Sequence, residues 1–284
     1  MSLPQLVDTH LHLIYRDRLA YPWLGGVAPL NHDFPIELYL KEALRCGVTD
    51  VLHMEVDVDD GDIEAETRFV RELAALPGNP IRGVISACRP EKGSFEAFLE
   101  RQGADRFVKG FRRVLHVVPD ELSESATFRA NIKRLGKVGK PFDLCVRADQ
   151  LGLAAALVDA CPDVQFVLDH CGVPDIKARK QHPWREGIAE IAKRPNVAVK
   201  ISGVVAYADA ETWTLEDIRP YVEHALQSFG WTRVVWGSDW PVCNLTASLS
   251  TWIAAIQTLT RGCSVDERAR LFSGNARRLW SLGG

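Results

Sequence analysis

Val7-Asp8-Thr9-His10-Leu11-His12 stands near the start of the chain, and its reading decides the fold. Leu6 and Val7 are apolar, as a buried strand requires, and polar residues follow at once. In an extended chain, residues i and i+2 project to the same side. His10 and His12 can therefore aim two imidazoles at one point, as ligands of a metal ion or as contacts to a substrate oxygen. The same organisation, a short apolar run ending in polar residues, recurs along the sequence. It predicts strands over Leu6–His10, Val48–Met54, Ile81–Ala87, Phe107–Phe111, Phe142–Val146, Gln165–Asp169, Val197–Ile201 and Val234–Gly237.

Helical patterns fill the intervals. Apolar residues fall at 36, 40, 43 and 44, and Gly47 follows as a stop. Asp62 is placed to cap a helix carrying Ile63, Val70, Leu73 and Ala74 on one face. Phe128, Ile132, Leu135 and Val138 mark another helix, and Thr214/Asp217 and Ser264/Glu267 read as capping boxes. The strands are β-branched and apolar on both faces, as parallel strands covered by helices must be. Alternation of this kind in 284 residues predicts a single-domain (β/α)8 TIM barrel spanning residues 1–284. The stretch from Leu13 to Asp33 is long for a connection, and long loops in compact domains tend to serve function.

Composition excludes several classes. Hydrophobic residues make up 46 % of the chain, enough for a large core, and the net charge is −3 with no run of five basic residues. Neither nucleic acid nor an anionic membrane is expected as a partner. No apolar run reaches the ~18–20 residues of a membrane span. The opening residues lack the basic and apolar regions of a signal peptide. Seven scattered cysteines, with no C-x-x-C pair, fit reduced thiols in a cytoplasmic protein.

In such barrels the chemistry lies at the C-terminal ends of the strands. Those ends carry His10 and His12; His53 and Glu55; Lys109, Arg112 and Arg113; Asp143 and Arg147; Asp169 and His170; Lys200 and Ser202; and Ser238 and Asp239. Polar groups at nearly every strand end are hard to explain by packing. Asp239 can act as a base or cap the segment after it. His170 reads as a site residue or as a core histidine bonded to backbone. Arg112 shares a face with Gly110 and is read as a substrate contact, whereas Arg113 points the other way and is read as structural. Lys200 is either a site residue or half of a salt bridge inside the barrel. His53, His116 and His224 read as ordinary. Glu55 is read as a substrate contact, and Trp23, Tyr207 and Trp240 as loop residues lining a pocket.

Asp8-Thr9-His10-Leu11-His12, Leu168-Asp169-His170-Cys171-Gly172 and Trp236-Gly237-Ser238-Asp239-Trp240-Pro241 together resemble the amidohydrolase superfamily. Lys109-Gly110-Phe111-Arg112, Lys200-Ile201-Ser202-Gly203 and Tyr21-Pro22-Trp23-Leu24 fit its amidohydrolase-2 branch, and there the sugar lactonases, those acting on L-fuconolactone above all. The resemblance covers essentially the whole chain. It implies an active-site core of His10, His12, His170 and Asp239, with Asp239 as general base. Dinuclear members carry a histidine at the end of strand five. Here that strand reads Asp143-Leu144-Cys145-Val146-Arg147, without one. At most one divalent ion is therefore expected, on His10, His12 and Asp239, with or without His170. Zinc suits two imidazoles and a carboxylate. Some lactonases of the branch work without metal, so the ion need not be required.

The expected reaction is hydrolysis of a small-molecule sugar lactone, L-fucono-1,5-lactone or its 1,4 isomer first. Asp239 takes a proton from water, and His10, His12, His170, Arg112 or an ion stabilises the oxyanion. The alternatives are a metal-dependent decarboxylase or a dicarboxylate lactonase of the same branch, or a barrel that binds a sugar without turnover. The oligomeric state is left open.

Overall fold

The computed structural model describes residues 5–283. Eight parallel strands follow one another round a single sheet in sequence order: β1 (Leu6–Leu11), β2 (Val48–Met54), β3 (Ile81–Ala87), β4 (Val108–Val114), β5 (Phe142–Cys145), β6 (Phe166–Leu168), β7 (Val197–Ile201) and β8 (Val234–Trp236). Helices lie between them, including Ile36–Ala43, Ile63–Ala74, Ala126–Val138 and Leu215–Phe229. The chain is a single-domain (β/α)8 TIM barrel, as its alternation predicts.

Two layers of apolar packing follow from the strand alternation. Outward residues such as Val51, Phe111, Phe142 and Ile201 join the helices in one continuous core. Inward residues Val7, Leu52, Met54, Ile85, Val167 and Val235 form a second cluster. Ala276, Trp280 and Leu282, from the C-terminal segment, close this inner cluster from below. The barrel is therefore filled at its base, and polar chemistry is confined to the other end.

Three strands have the bounds expected from sequence, and β4 does not. It runs on to Val114, so Arg112 and Arg113 lie within the strand and project to opposite faces. Arg112 points inward and is buried. Arg113 points outward and pairs with Glu91 at 3.0 Å. Asp62 precedes its helix, but its carboxylate accepts a hydrogen bond from Ala20 N at 2.9 Å instead of capping. That bond ties the Leu13–Asp33 excursion to the barrel. The excursion is also pinched at its base, where Ile14 and Phe34 exchange backbone hydrogen bonds of 3.2 and 2.9 Å.

Closure between β8 and β1 uses residues beyond the end of β8. Asp239 N donates to His10 O and His12 N to Trp240 O, both at 2.8 Å. Beside this seam, the buried Asp8 carboxylate accepts from Ser238 N at 2.8 Å, His10 N at 3.1 Å and the Tyr39 hydroxyl at 2.7 Å. Three buried donors thus depend on one side chain. Removing an acceptor of this kind costs about 1–3 kcal/mol for each donor left unpaired. Asp8→Ala is expected to lower unfolding free energy by about 3 kcal/mol or more, read by urea titration. A loss below about 1 kcal/mol would show that the seam holds without it.

Candidate active site

The barrel mouth gathers charged and polar side chains that are almost wholly withdrawn from water. His10, Asp143, Asp169, Lys200 and Glu55 show no exposure, and Arg112, His170 and Asp239 very little. Burying charge is tolerable only when each group has a partner. The chain meets this by alternating signs. Lys200 Nζ lies 2.6 Å from Asp143 Oδ2 and 2.9 Å from Asp169 Oδ1. Asp169 Oδ2 faces Arg112 Nη1 at 3.4 Å. Arg112 Nε in turn donates to Glu55 Oε1 at 2.5 Å, and its Nη2 to Glu55 O at 2.8 Å.

On this base sit three imidazoles and Asp239. His10 Nε2 and His12 Nε2 are 3.1 Å apart. Asp239 Oδ1 lies 3.6 Å from the first and 3.5 Å from the second. His170 Nδ1 lies 3.0 Å from Ser202 Oγ and 3.8 Å from Asp239 Oδ2. Two of these residues have backbones in the left-handed region, His170 at φ 51° and Asp239 at φ 58°. Such conformations cost about 1–3 kcal/mol each and persist where the surroundings over-determine them. Gly203 shows how tightly. A Cβ there would stand 2.5 Å from Asp239 Oδ2 and 2.6 Å from His170 Nδ1.

Burial sets the protonation states. It lowers the His12 imidazole to about 3, with Arg112 and His53 adding to the effect. It drives His10 well below its usual range, helped by Lys200, and lowers His170 as well. All three are therefore neutral at neutral pH. His12 Nδ1 lies 3.0 Å from Met54 O, a pure acceptor, so Nδ1 carries the proton and Nε2 presents a lone pair. Burial also raises Asp239 to about 6, against the pull of His170 and Arg112. Desolvation opposes the charged forms of Asp169 and Lys200. Lys200 nevertheless keeps Asp169 ionised, and the two aspartates keep Lys200 protonated.

The donor set suits one divalent ion. Ligand atoms about 2.0–2.1 Å from a tetrahedral ion lie about 3.3 Å from one another. His10 Nε2, His12 Nε2 and Asp239 Oδ1 come close to that spacing, and His10, His170 and Asp239 also bring ligand atoms within 4.8 Å. A second ion would meet the Arg112 and Lys200 cations, which already occupy the interior next to Asp169.

Of the other residues expected at the site, Trp23 lines the cavity above these groups, together with His12, Arg112, His170 and Asp239. Glu55 does not line it. Its carboxylate is spent on Arg112 and on Asp57 N, at 2.6 Å. Trp240 does not line it either, since the turn at Asp239 sends its ring outward against Phe34 and Tyr39. Its neighbour Pro241 takes that place. Lys109 lies against Gly83, away from the site. His53 faces Glu66 on the outside of the sheet, at 3.3 Å. His116, read as ordinary, lines the cavity, and Tyr207 does so as expected. Asp143 and Asp169 emerge as the partners that make a buried Lys200 possible. Their signal in the sequence is an acidic residue inside an otherwise apolar strand, or just past its end.

Removing one member of a buried ion pair leaves the other uncompensated, at about 3–5 kcal/mol. Lys200→Met is therefore expected to lower unfolding free energy by about that amount, because Asp143 would lose its cation and Asp169 would keep only Arg112. Chemical denaturation measures this, and a change under 1 kcal/mol would contradict the arrangement.

Comparison with known proteins places the chain in a family. The amidohydrolase family model matches residues 7–282. An L-fucono-1,5-lactonase of Burkholderia ambifaria is 34 % identical over 224 residues, 77 % of each chain. One from Burkholderia multivorans is 29 % identical over 294 residues, covering 97 % of this chain and 96 % of that one. A crystal structure of a Burkholderia multivorans amidohydrolase with bound zinc superposes with a TM-score of 0.87 at 26 % identity, covering 98 % of this chain and all of the other. With a family match running over nearly its whole length, the chain belongs to the amidohydrolase family.

Proposed function

We propose that the protein is a lactonase that hydrolyses a sugar lactone, with Asp239 as the base that activates water. The observation that carries this reading is Asp239 Oδ2. It is a buried carboxylate oxygen without a hydrogen-bond partner among the described residues, at a cavity of about 310 Å³ and beside three neutral histidines. Such an atom is placed to accept a proton. The two Burkholderia relatives named as L-fucono-1,5-lactonases support the lactone class, and L-fucono-1,5-lactone or its 1,4 isomer is the first substrate to test.

The reaction runs in two proton movements. Asp239 Oδ2 takes a proton from water as the water oxygen bonds to the lactone carbonyl carbon. His170 and the Arg112 guanidinium, held in place by Glu55, face the carbonyl oxygen as it gains charge. The bond from the carbonyl carbon to the ring oxygen then breaks, and Asp239 returns the proton to that oxygen. His10, His12 and Asp239 would hold a divalent ion, with zinc the choice for this donor set, and it would add positive charge opposite the carbonyl oxygen. A dicarboxylate substrate has less support. Arg112 is the sole Arg or Lys lining the cavity among the described residues, and it is already paired with Glu55.

A pH-indicator assay on a panel of aldonolactones, with and without chelator, tests the reading. Asp239→Asn is expected to lower kcat by about 10²–10⁴-fold with circular dichroism unchanged. Near-normal turnover would end the assignment. The base works only when ionised, and burial has raised it to about 6. In metal-stripped protein, kcat/KM should therefore fall tenfold per pH unit below about 6 and level off above it. A profile flat down to pH 4.5 would exclude Asp239 as the titrating base.

A further inference from the structure

The walls of the cavity differ sharply from its floor. Around the reacting groups stand Ile14, Leu30, Val56, Val114, Pro241 and Val242. At the mouth, Val117 is 63 % exposed, unusual for so apolar a residue. No serine, threonine, asparagine, glutamine or lysine lines the cavity among the described residues.

Most polar atoms that do reach the walls are already engaged. Trp23 Nε1 donates to Val56 O at 2.8 Å. Arg89 Nη2 donates to Asp57 Oδ1 at 3.0 Å. His116 Nδ1 lies 3.2 Å from Cys145 Sγ. What remains for a ligand's hydroxyls is the Tyr207 side, the outer edge of His116 and the second carboxylate oxygen of Asp57. The rest of the lining, Ile14, Leu30, Trp23, Val114, Pro241 and Val242, presents hydrocarbon and an aromatic ring.

A hydroxyl pressed against such a wall loses its water and gains nothing, whereas an alkyl group gains from every methylene buried. We infer that this cavity selects lactones whose arm, on the carbon beside the ring oxygen, is aliphatic, with the arm against this hydrocarbon lining and the ring hydroxyls turned to Tyr207 and Asp57. The inference rests on the lactonase reading above and narrows its substrate to deoxygenated, alkyl-armed lactones. Polyhydroxylated lactones, whose arm ends in a hydroxyl, are disfavoured. One methylene, or one added hydroxyl, in an apolar pocket is worth roughly 10–10²-fold in kcat/KM.

Two matched pairs test it. L-fucono-1,5-lactone and L-galactono-1,5-lactone differ in a methyl against a hydroxymethyl arm. δ-Decalactone and δ-hexalactone differ in a pentyl against a methyl arm. The expected result is a kcat/KM ratio of about tenfold or more in favour of the first member of each pair. Ratios above threefold in both pairs support the inference. If lactones are opened but either ratio is threefold or less, the inference falls and the lactonase reading stands. If no lactone is opened, both fall. Val114→Thr and Val242→Thr keep side-chain volume while placing a hydroxyl on the wall. Each is expected to reduce the decalactone-to-hexalactone ratio at least threefold, with folding followed by circular dichroism. An unchanged ratio in both variants also overturns the inference.

Discussion

Everything at the barrel mouth depends on how β8 meets β1. β8 is three residues long and ends before the site, so an ordinary ladder cannot close the barrel there. Closure falls to Gly237-Ser238-Asp239-Trp240, whose backbone bonds directly to the His10–His12 segment. Asp239 and the two histidines opposite it are thus carried by segments whose main chains hydrogen-bond to each other. Their spacing is set by backbone geometry, which yields far less than side-chain packing does. The approach leaves no room at Gly237, where a Cβ would come within 2.7 Å of His10 Cβ. The left-handed turn at Asp239 is the cost of presenting its carboxylate inward from so close a seam.

Beneath the seam the charge network has a different task. A buried ion pair seldom adds net stability, because desolvation offsets attraction. Lys200, Asp143, Asp169, Arg112 and Glu55 are better understood as fixing directions. Asp169 lies between two cations, and Lys200 Nζ reaches His10 Nδ1 at 3.2 Å. His10 therefore meets fixed charge on one ring nitrogen and the reaction space on the other. The Trp280 ring lies 5.7 Å from Lys200 Nζ and closes the interior below it, which keeps water from relaxing the network. The same dryness raises Asp239 and keeps the histidines neutral, so one physical cause acts on the carboxylate and on the imidazoles.

The sequence discloses the fold well because apolar runs covered by helices on both faces are bounded sharply by glycine, proline and charge. Val48–Met54, Ile81–Ala87 and Val197–Ile201 show this. It misjudges β4 because Arg112 and Arg113 look like the end of a strand, when one is paired inside the barrel and the other outside. The polar strand ends are equally visible, and the barrel brings His10, His12, His170, Arg112 and Asp239 together. The direction of a side chain beyond a strand is not visible. Trp240 turns outward because of the φ of the residue before it, and Glu55 turns towards Arg112 because a buried guanidinium needs a carboxylate. The first depends on the seam that ties Asp239 to His10, and the second on a partner far away in sequence. His116 reaches the cavity for a similar reason, being carried there by the loop after a strand that runs longer than its apolar core.

Floor and walls are independent pieces of construction. The floor is built from strand ends, and its geometry is locked by the seam and by alternating charge. The walls come from loops, each pinned by a few bonds. Trp23 is held through Val56 O, Val56 N through Glu66 at 3.0 Å, and the segment before Tyr207 through the bond from Thr246 Oγ1 to Val205 O at 2.7 Å. None of these bonds involves a residue that touches the reacting atoms. A wall side chain can therefore change in size or polarity without disturbing the base or its neighbours. Loops held by a rigid scaffold are where binding specificity is adjusted. Charged groups and apolar lining accordingly reside in different parts of the molecule: the strand ends carry the first, and the segments that follow them most of the second.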